Sequence, residues 1–163
     1  AFAQQRLDWL GQPAPDGGRA SAVGPEMQDT LNAKVKHREM FRPFAPVILQ
    51  EKVADFFKTD QPLPKIADYM LLVYPFQPEV TADLPGVVHI NQTGRLQSIK
   101  HEANPLYYDL IKTHEQKTGL PILINTSFNV RGEPIVCTPE DAVKCFLGTG
   151  IDILVIDNFV ITK

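Results

Sequence analysis

Apolar runs of strand length recur along the chain and predict the strands of a sheet. The run at residues 69–74 is unbroken, which is typical of a strand buried on both faces, and it is a candidate for the centre of the sheet. Residues 121–124 form the next apolar run. Two β-branched runs, residues 153–156 and 159–162, are joined by Asp157-Asn158, which tolerate a left-handed turn, and this pattern predicts a hairpin.

A polar break predicts another hairpin. Residues 87–90 and 95–99 flank Asn91-Gln92-Thr93-Gly94, so we expect two paired strands with Arg95 at the start of the returning strand.

Residues 41–49 also look extended. Pro43 and Pro46 exclude a helix interior there, because proline lacks the N–H that a helix needs. Both prolines fit a strand at the edge of a sheet better than one at its centre.

Helix signals fall between the strands. Asn104-Pro105 and Thr138-Pro139 each place a capping side chain before proline, and they predict helices that end at Gly119 and near Leu147. The predicted buried stripe of the first helix is Leu106, Leu110 and Ile111. Two more helices are predicted, over residues 25–35 and 52–57. Because strands and helices interleave without a repeat, the sequence predicts a single α/β or α+β domain with a mixed, twisted sheet.

The length of 163 residues is that of one ordinary domain. Glycine and proline concentrate in residues 11–24, which could bury little apolar surface. We therefore interpret residues 1–24 as a flexible segment and residues 25–163 as the folded domain. The chain begins without methionine, so we expect it to belong to a longer protein.

Charge and composition argue against several function classes. A net charge of -3 provides no broad basic field, which disfavours nonspecific nucleic-acid binding but leaves a local basic groove open. No apolar run resembles a membrane span or a signal peptide. The two cysteines, Cys137 and Cys145, and the histidines lack the spacing of metal ligands, so we expect no tightly bound metal. Two cysteines are too few for a disulfide-rich protein, so we expect free thiols and a reducing, cytoplasmic environment.

The segment Asn125-Thr126-Ser127-Phe128-Asn129 is the most informative polar feature. Hydrogen-bonding side chains at the carboxyl end of a buried strand need partners, and a ligand is a common partner there. Asn125, Ser127 and Asn129 alternate, so they would share one face of an extended chain. A turn capped by its own Asn and Ser side chains is an equally good interpretation.

A second polar cluster, Lys36-His37-Arg38 followed by Arg42, supplies cations earlier in the chain. The alternative to ligand binding is a helix end whose cations offset the helix dipole. Arg42 lies between aromatic residues and proline, where a guanidinium must reach solvent or an anion. No Walker loop and no serine elbow is present, so residue types indicate only that a phosphorylated or adenylated small molecule is bound.

Four stretches carry a resemblance to a known family: LNAKVKHREMFRPFAP, HINQTGRLQS, TGLPILINTSFNVRGEPIVCTPEDAV and DILVIDNFVITK. Together they closely resemble the C-terminal domain of the O-carbamoyltransferase family, which includes nodulation-factor and antibiotic-tailoring enzymes. The resemblance implies a YrdC-like α/β fold. It also implies that this domain makes carbamoyl adenylate from ATP and carbamoyl phosphate. An N-terminal, actin-like ATPase-type domain would then pass the carbamoyl group to a hydroxyl acceptor near a metal ion.

The resemblance also implies site residues. YrdC-like proteins share a Lys-x-Arg and Ser-x-Asn tetrad at the nucleotide site, and three of its members would be catalytic here: Lys36, Arg38 and Ser127. Mg²⁺ would arrive with ATP. The residues expected to bind ATP and carbamoyl phosphate are Lys36, Arg38, Arg42, Arg95, Asn125, Ser127 and Asn129.

This chain departs from the family pattern in two places. Relatives usually carry a Gly-Pro-Arg-Ala-Leu-Gly segment where this chain has Ala20-Ser21-Ala22-Val23-Gly24-Pro25, and they tend to have aspartate where Asn91 stands. Loss of the arginine would weaken ATP binding. The absence of this arginine also leaves an alternative function open: a non-catalytic YrdC-like module that binds nucleotide or RNA. A third possibility is a segment that only docks the N-terminal domain.

Overall fold

The computed structural model describes residues 25–37, 39, 42–60 and 62–163. The predicted flexible segment, residues 1–24, lies outside the described residues. Short 3₁₀ turns connect several elements, and a π-helical turn, Asn32–Lys36, continues the first helix. The described helices and strands are α1 Pro25–Leu31, β1 Ala45–Leu49, α2 Val53–Phe56, β2 Leu72–Pro75, β3 Thr93–Ile99, α3 Pro105–Thr118, β4 Ile122–Asn125, α4 Pro139–Gly148, β5 Ile153–Ile156 and β6 Phe159–Thr162.

Four strands form a mixed sheet in the order β2-β3-β1-β4. Strand β1 runs parallel to β3 and antiparallel to β4, while β2 and β3 are antiparallel. All five residues of β1 are buried, so this strand is the centre of the sheet. The α/β class and the mixed sheet predicted from the sequence are confirmed.

The two faces of the sheet pack against different elements. On one face, Ile48, Leu96 and Ile122 join the main core with the ring pair of Phe57 and Phe76. The opposite face contributes Val47, Leu49, Ile99 and Leu123, which pack with Ile111 of α3. This second face is called the α3 face below. Helix α3 packs against only part of this face. The polar residues near the start of β3 and at the end of β4 lie outside this apolar cluster.

Strand β2 corrects one prediction. The apolar run at residues 69–74 was expected at the sheet centre, yet β2 lies at an edge and its four residues alternate between half-buried and exposed. Leu71 and Val73 are 66% and 53% exposed. An edge strand pairs on one side only, and apolar composition alone does not distinguish such a strand from a central one.

The hairpin predicted around Gly94 is also wrong. Residues 87–90 form no strand, and β3 pairs instead with β2 and β1. Gly94 is required by packing: a Cβ there would lie 2.4 Å from the Phe76 ring. The glycine therefore lets the two phenylalanine rings approach the sheet.

The edge position expected for residues 41–49 is wrong as well, since β1 is central. The reason lies in the register. Pairing with β3 starts at Val47, so the missing N–H of Pro46 removes no bond from that ladder. Opposite Pro46, β4 places Ile124.

Helix boundaries agree with the capping signals. Asn104 accepts a hydrogen bond from the Tyr107 N–H, and Gly119 ends α3 with a φ of 78°. At α4, Thr138 and Asp141 bond each other's backbone in a capping box. The buried stripe of α3 is only partly as predicted, because Leu106 is 72% exposed while Ile111 is buried.

The predicted hairpin at the end of the chain is confirmed as a separate sheet of β5 and β6, with Asp157 at a φ of 51°. Leu154 of β5 joins a third apolar cluster with Val35, Phe146 and Ile151. Every residue of β6 is exposed. Among the described residues, no helix is both long enough and apolar enough to cross a bilayer.

Candidate functional site

Lys36 is held at the end of the π-helical turn that continues α1. Val35 anchors this turn in the third apolar cluster, and the Gly150 N–H donates to the Lys34 carbonyl at 3.1 Å. A Cβ at Gly150 would lie 2.8 Å from the Lys34 side chain, so glycine is required for this approach. His37 then ends the turn with a left-handed φ of 47°. π-Helical turns are rare in proteins, and those that occur are often located at functional sites.

The Lys36 ammonium reaches the loop that follows β4. It donates to the Ser127 carbonyl, to Ser127 Oγ at 3.1 Å, to the Asn129 carbonyl at 3.0 Å and to Asn129 Oδ1 at 2.8 Å. Lys36 is only 7% exposed. We call these three residues the Lys36 cluster.

The cluster is also bonded internally. Ser127 Oγ donates to Asn129 Oδ1 at 2.6 Å, and Asn129 Nδ2 donates to the Glu133 carbonyl at 2.7 Å. Asn129 therefore bonds within its own turn, as one interpretation of the sequence predicted, and also contacts a cation from a distant segment. An ammonium has three hydrogens, so four oxygens already share them. A phosphate that binds Lys36 must replace or share one of these contacts.

The other predicted cations are distributed differently. Arg38 lies outside the described residues, and Arg42 is exposed. Arg131 donates to the His37 carbonyl at 3.1 Å and lies 4.0 Å from Glu39. Arg131 thus ties the loop after β4 to the segment that follows Lys36.

Arg95 and Asn125 lie on the α3 face of the sheet, beyond the part that α3 covers. Arg95 is exposed and sits directly opposite Val73 on β2, and Asn125 is half-buried opposite Ala45 on β1. Residues two apart on a strand share a face, so Gln97 lies on the same side as Arg95. We call Arg95, Gln97 and Asn125 the sheet-face group.

Gln97 was missed by sequence reasoning. Asn125 Nδ2 donates to Gln97 Oε1 at 2.5 Å, and Gln97 Nε2 donates to the Asp68 carbonyl at 3.2 Å. The available signal was its position two residues after Arg95. That alternation could place Gln97 beside the arginine, but not beside an asparagine two strands away.

His89 lies close enough to Arg95 for the two groups to interact electrostatically. Burial, together with the nearby Arg95 guanidinium, lowers the pKa of His89 below its ordinary value. Asn91 accepts a hydrogen bond from Thr93 Oγ1 at 2.7 Å.

The thiols lie apart from this chemistry. Both cysteines are free, with Cys137 exposed and Cys145 buried. Burial raises the pKa of the Cys145 thiol, as does Glu133, while Lys36 opposes the rise. Within the described ranges, no group of three or more His, Cys, Asp or Glu side chains is placed to hold a metal ion.

Comparison with known proteins gives a consistent result. A family model for the carbamoyltransferase C-terminus matches residues 19–163. An uncharacterized protein of Synechocystis is 44% identical over 174 aligned residues, covering 93% of this chain and 28% of that protein. The nodulation protein NolO of Bradyrhizobium diazoefficiens is 38% identical, covering 93% of this chain and 28% of its own length.

A shorter alignment links the chain to nodulation protein U of Rhizobium tropici, which is 38% identical over 83% of this chain and 23% of that protein. The chain thus spans only 23% to 28% of the length of these three relatives. The family match includes α1, the whole mixed sheet, the Lys36 cluster and the sheet-face group. This chain belongs to the family of carbamoyltransferase C-terminal domains.

Proposed function

We propose that this domain forms carbamoyl adenylate from ATP and carbamoyl phosphate, and that another part of a longer protein passes the carbamoyl group to a hydroxyl acceptor. Water first splits carbamoyl phosphate into carbamate and inorganic phosphate. A carbamate oxygen then attacks the α-phosphorus of ATP, and pyrophosphate leaves as the new O–P bond forms. Mg²⁺ enters with ATP as part of the substrate.

The observation that carries the proposal is the contact of Lys36 with Ser127 and Asn129, residues 91 and 93 positions away in the sequence. Three members of the expected nucleotide-site tetrad are therefore neighbours. A cation beside neutral polar side chains suits this reaction, because charge develops on the transferred phosphate and the carbamate has to be oriented without a competing nucleophile.

The two groups of residues have separate proposed roles. Lys36 keeps Ser127 and Asn129 in place and exchanges one of its oxygen contacts for a phosphate oxygen when ATP binds. Arg95 is exposed and needs no such exchange, so it receives the phosphate of carbamoyl phosphate. Arg38 and Arg42 are proposed to neutralise the remaining triphosphate charge.

Transfer to the acceptor is proposed to occur in an actin-like ATPase-type domain of the longer protein. The support is the family membership and the fact that the relatives are several times longer than this chain. Acceptor choice would then belong to that domain.

The test is release of pyrophosphate from ATP and Mg²⁺ with and without carbamoyl phosphate. We expect release that depends on carbamoyl phosphate and that Ser127→Ala reduces about 10- to 100-fold, because the hydroxyl orients the reacting group. Thr113→Ala, which removes an exposed hydroxyl on α3, is the matched control. No release by this chain, under conditions in which the longer protein does release pyrophosphate, would refute the proposal for the domain alone.

A further inference from the structure

A relay of amide groups crosses the open part of the α3 face. It begins at the backbone carbonyl of Asp68, to which Gln97 Nε2 donates at 3.2 Å. A backbone carbonyl can only accept, so this contact determines which end of the Gln97 amide faces Asp68. Gln97 Oε1 must then point the other way, toward Asn125.

The contact between Gln97 and Asn125 determines the orientation of the Asn125 amide in the same way. Gln97 Oε1 can only accept, and Asn125 Nδ2 donates to it at 2.5 Å. A flipped Asn125 would place two oxygens against each other. The orientation of Asn125 is therefore set by a backbone group on a different segment, and its Oδ1 is directed away from Gln97. Within the described part of the chain, no group donates a hydrogen bond to Asn125 Oδ1.

The result is an acceptor on β4 and a cation on β3, on the same face of the sheet with β1 between them. Asn125 is half-buried and ends β4, two residues before Ser127, while Arg95 lies on the same face of the sheet. A ligand that fits both must offer an anionic end to Arg95 and an N–H or O–H donor to Asn125. Inorganic phosphate dianion offers few donors, and an acyl phosphate without an amino group offers none next to its carbonyl.

We propose that Gln97 is a positioning residue that turns Asn125 Oδ1 toward the ligand, and that Asn125 thereby recognises the amino group of the carbamoyl ligand. This inference rests on the proposed function, since it names what selects carbamoyl phosphate over other acyl phosphates. In this proposal Lys36 and Arg95 bind phosphate groups, and Asn125 accepts a hydrogen bond from the –NH₂ group.

The experiment compares carbamoyl phosphate with acetyl phosphate, in which a methyl group replaces the amino group at nearly the same shape. In the wild-type chain we expect carbamoyl phosphate to bind about tenfold more tightly in calorimetry, as one hydrogen bond at a partly exposed site supplies. Gln97→Met keeps the volume but removes the acceptor, and it should reduce this preference to about twofold or less. Its affinity for acetyl phosphate should stay unchanged.

Kinetics separate positioning from a structural role. With Gln97→Met, the KM for carbamoyl phosphate should rise while the KM for ATP and kcat stay within about twofold. Gln116→Met, on the exposed side of α3, is the matched control and should change none of these values. Asn125→Ala should lose the same preference as Gln97→Met, and the double variant should lose no more than either one, because both act in one relay.

The outcomes are distinguishable. Equal binding of carbamoyl and acetyl phosphate by the wild-type chain would overturn the inference and leave the proposed function standing, and so would a Gln97→Met variant with its preference intact. Binding of neither compound would overturn both. If Gln97→Met does not fold, the inference is tested by the ratio of the wild-type affinities for carbamoyl and acetyl phosphate and by the loss of that preference in Asn125→Ala.

Discussion

The Lys36 cluster and the sheet-face group each present a cation to the same end of the sheet, but they differ in burial and in partners. Lys36 is almost completely buried and shares its hydrogens among four protein oxygens. Arg95 is exposed on β3 beside Val73. A buried cation that is already satisfied maintains the shape of a loop, whereas an exposed one remains ready for a ligand. The comparison predicts that the first cation supports fold and function together and the second supports function alone.

Replacement of the buried cation should have the largest effect. Lys36→Met removes the donor from four oxygens, and we expect pyrophosphate release to fall more than about 100-fold. The free energy of unfolding should fall by about 2–3 kcal/mol, since buried acceptors lose their partner. Urea unfolding and the release assay measure the two effects. Lys117→Met, on an exposed part of α3, is the control. If Lys36→Met were as stable as wild type, the buried and exposed cations would not differ in their contribution to stability.

Replacement of the exposed cation should affect function only. Arg95→Met should raise the KM for carbamoyl phosphate about 10- to 100-fold, because a charge-assisted contact to phosphate is lost. The free energy of unfolding should stay within about 0.5 kcal/mol of wild type. Arg95→Lys should recover part of the loss, as a point charge without the guanidinium fork. A stability loss like that of Lys36→Met would show that Arg95 is structural.

The buried side of the same strand offers the reverse case. Gly94→Ala would push a Cβ into the Phe76 ring, and overpacking of this kind costs about 1–3 kcal/mol. We expect a lower thermal midpoint with the KM for carbamoyl phosphate within about threefold of wild type, since Arg95 keeps its side of the strand. Gly148→Ala, where no atom lies within 4 Å of the added Cβ, is the control. A stable variant would contradict the packing assigned to Phe57 and Phe76.

The smallest effect at neutral pH concerns His114, a buried residue of helix α3. It is 1% exposed, neither ring nitrogen has a hydrogen-bond partner among the described residues, and burial lowers its pKa from 6.5 to about 4. Between these two values the unfolded state binds the proton and the folded state does not. Stability is therefore lost as the pH falls through this window and is unaffected above it.

His114→Leu should remove that part of the pH dependence and leave the KM for carbamoyl phosphate unchanged. Unfolding midpoints measured from pH 7 to pH 4 test this expectation. If wild type and variant lose stability in parallel over the window, other groups account for the acid sensitivity.

The features predicted correctly from the sequence are those with local causes. The caps Asn104 and Thr138, the terminating Gly119 and the Asp157 turn each act within a few residues, and each appears where expected. Strand order failed because it depends on partners far apart in the sequence. The parallel pairing of β1 with β3, which makes β1 central and leaves β2 at an edge, has no local signature.

The candidate site shows the same division. Residue types alone indicated a phosphate ligand, and only the resemblance to carbamoyltransferases paired Lys36 with Ser127 and Asn129. The role of Gln97 depends on a contact with Asn125 across the sheet and on the Asp68 carbonyl. Such a contact requires the register of three strands, which sequence patterns did not provide.

The most direct test of the account is to follow ¹³C-labelled carbamoyl phosphate by NMR in the presence of ATP, Mg²⁺ and the protein. We predict a new carbamoyl carbon signal coupled to the α-phosphorus of the adenylate, formed together with pyrophosphate and strongly reduced in Lys36→Met. Complete conversion of the label to carbamate and bicarbonate with no coupled signal, in a chain that binds ATP, would contradict the central claim that the two cationic regions form one adenylating site.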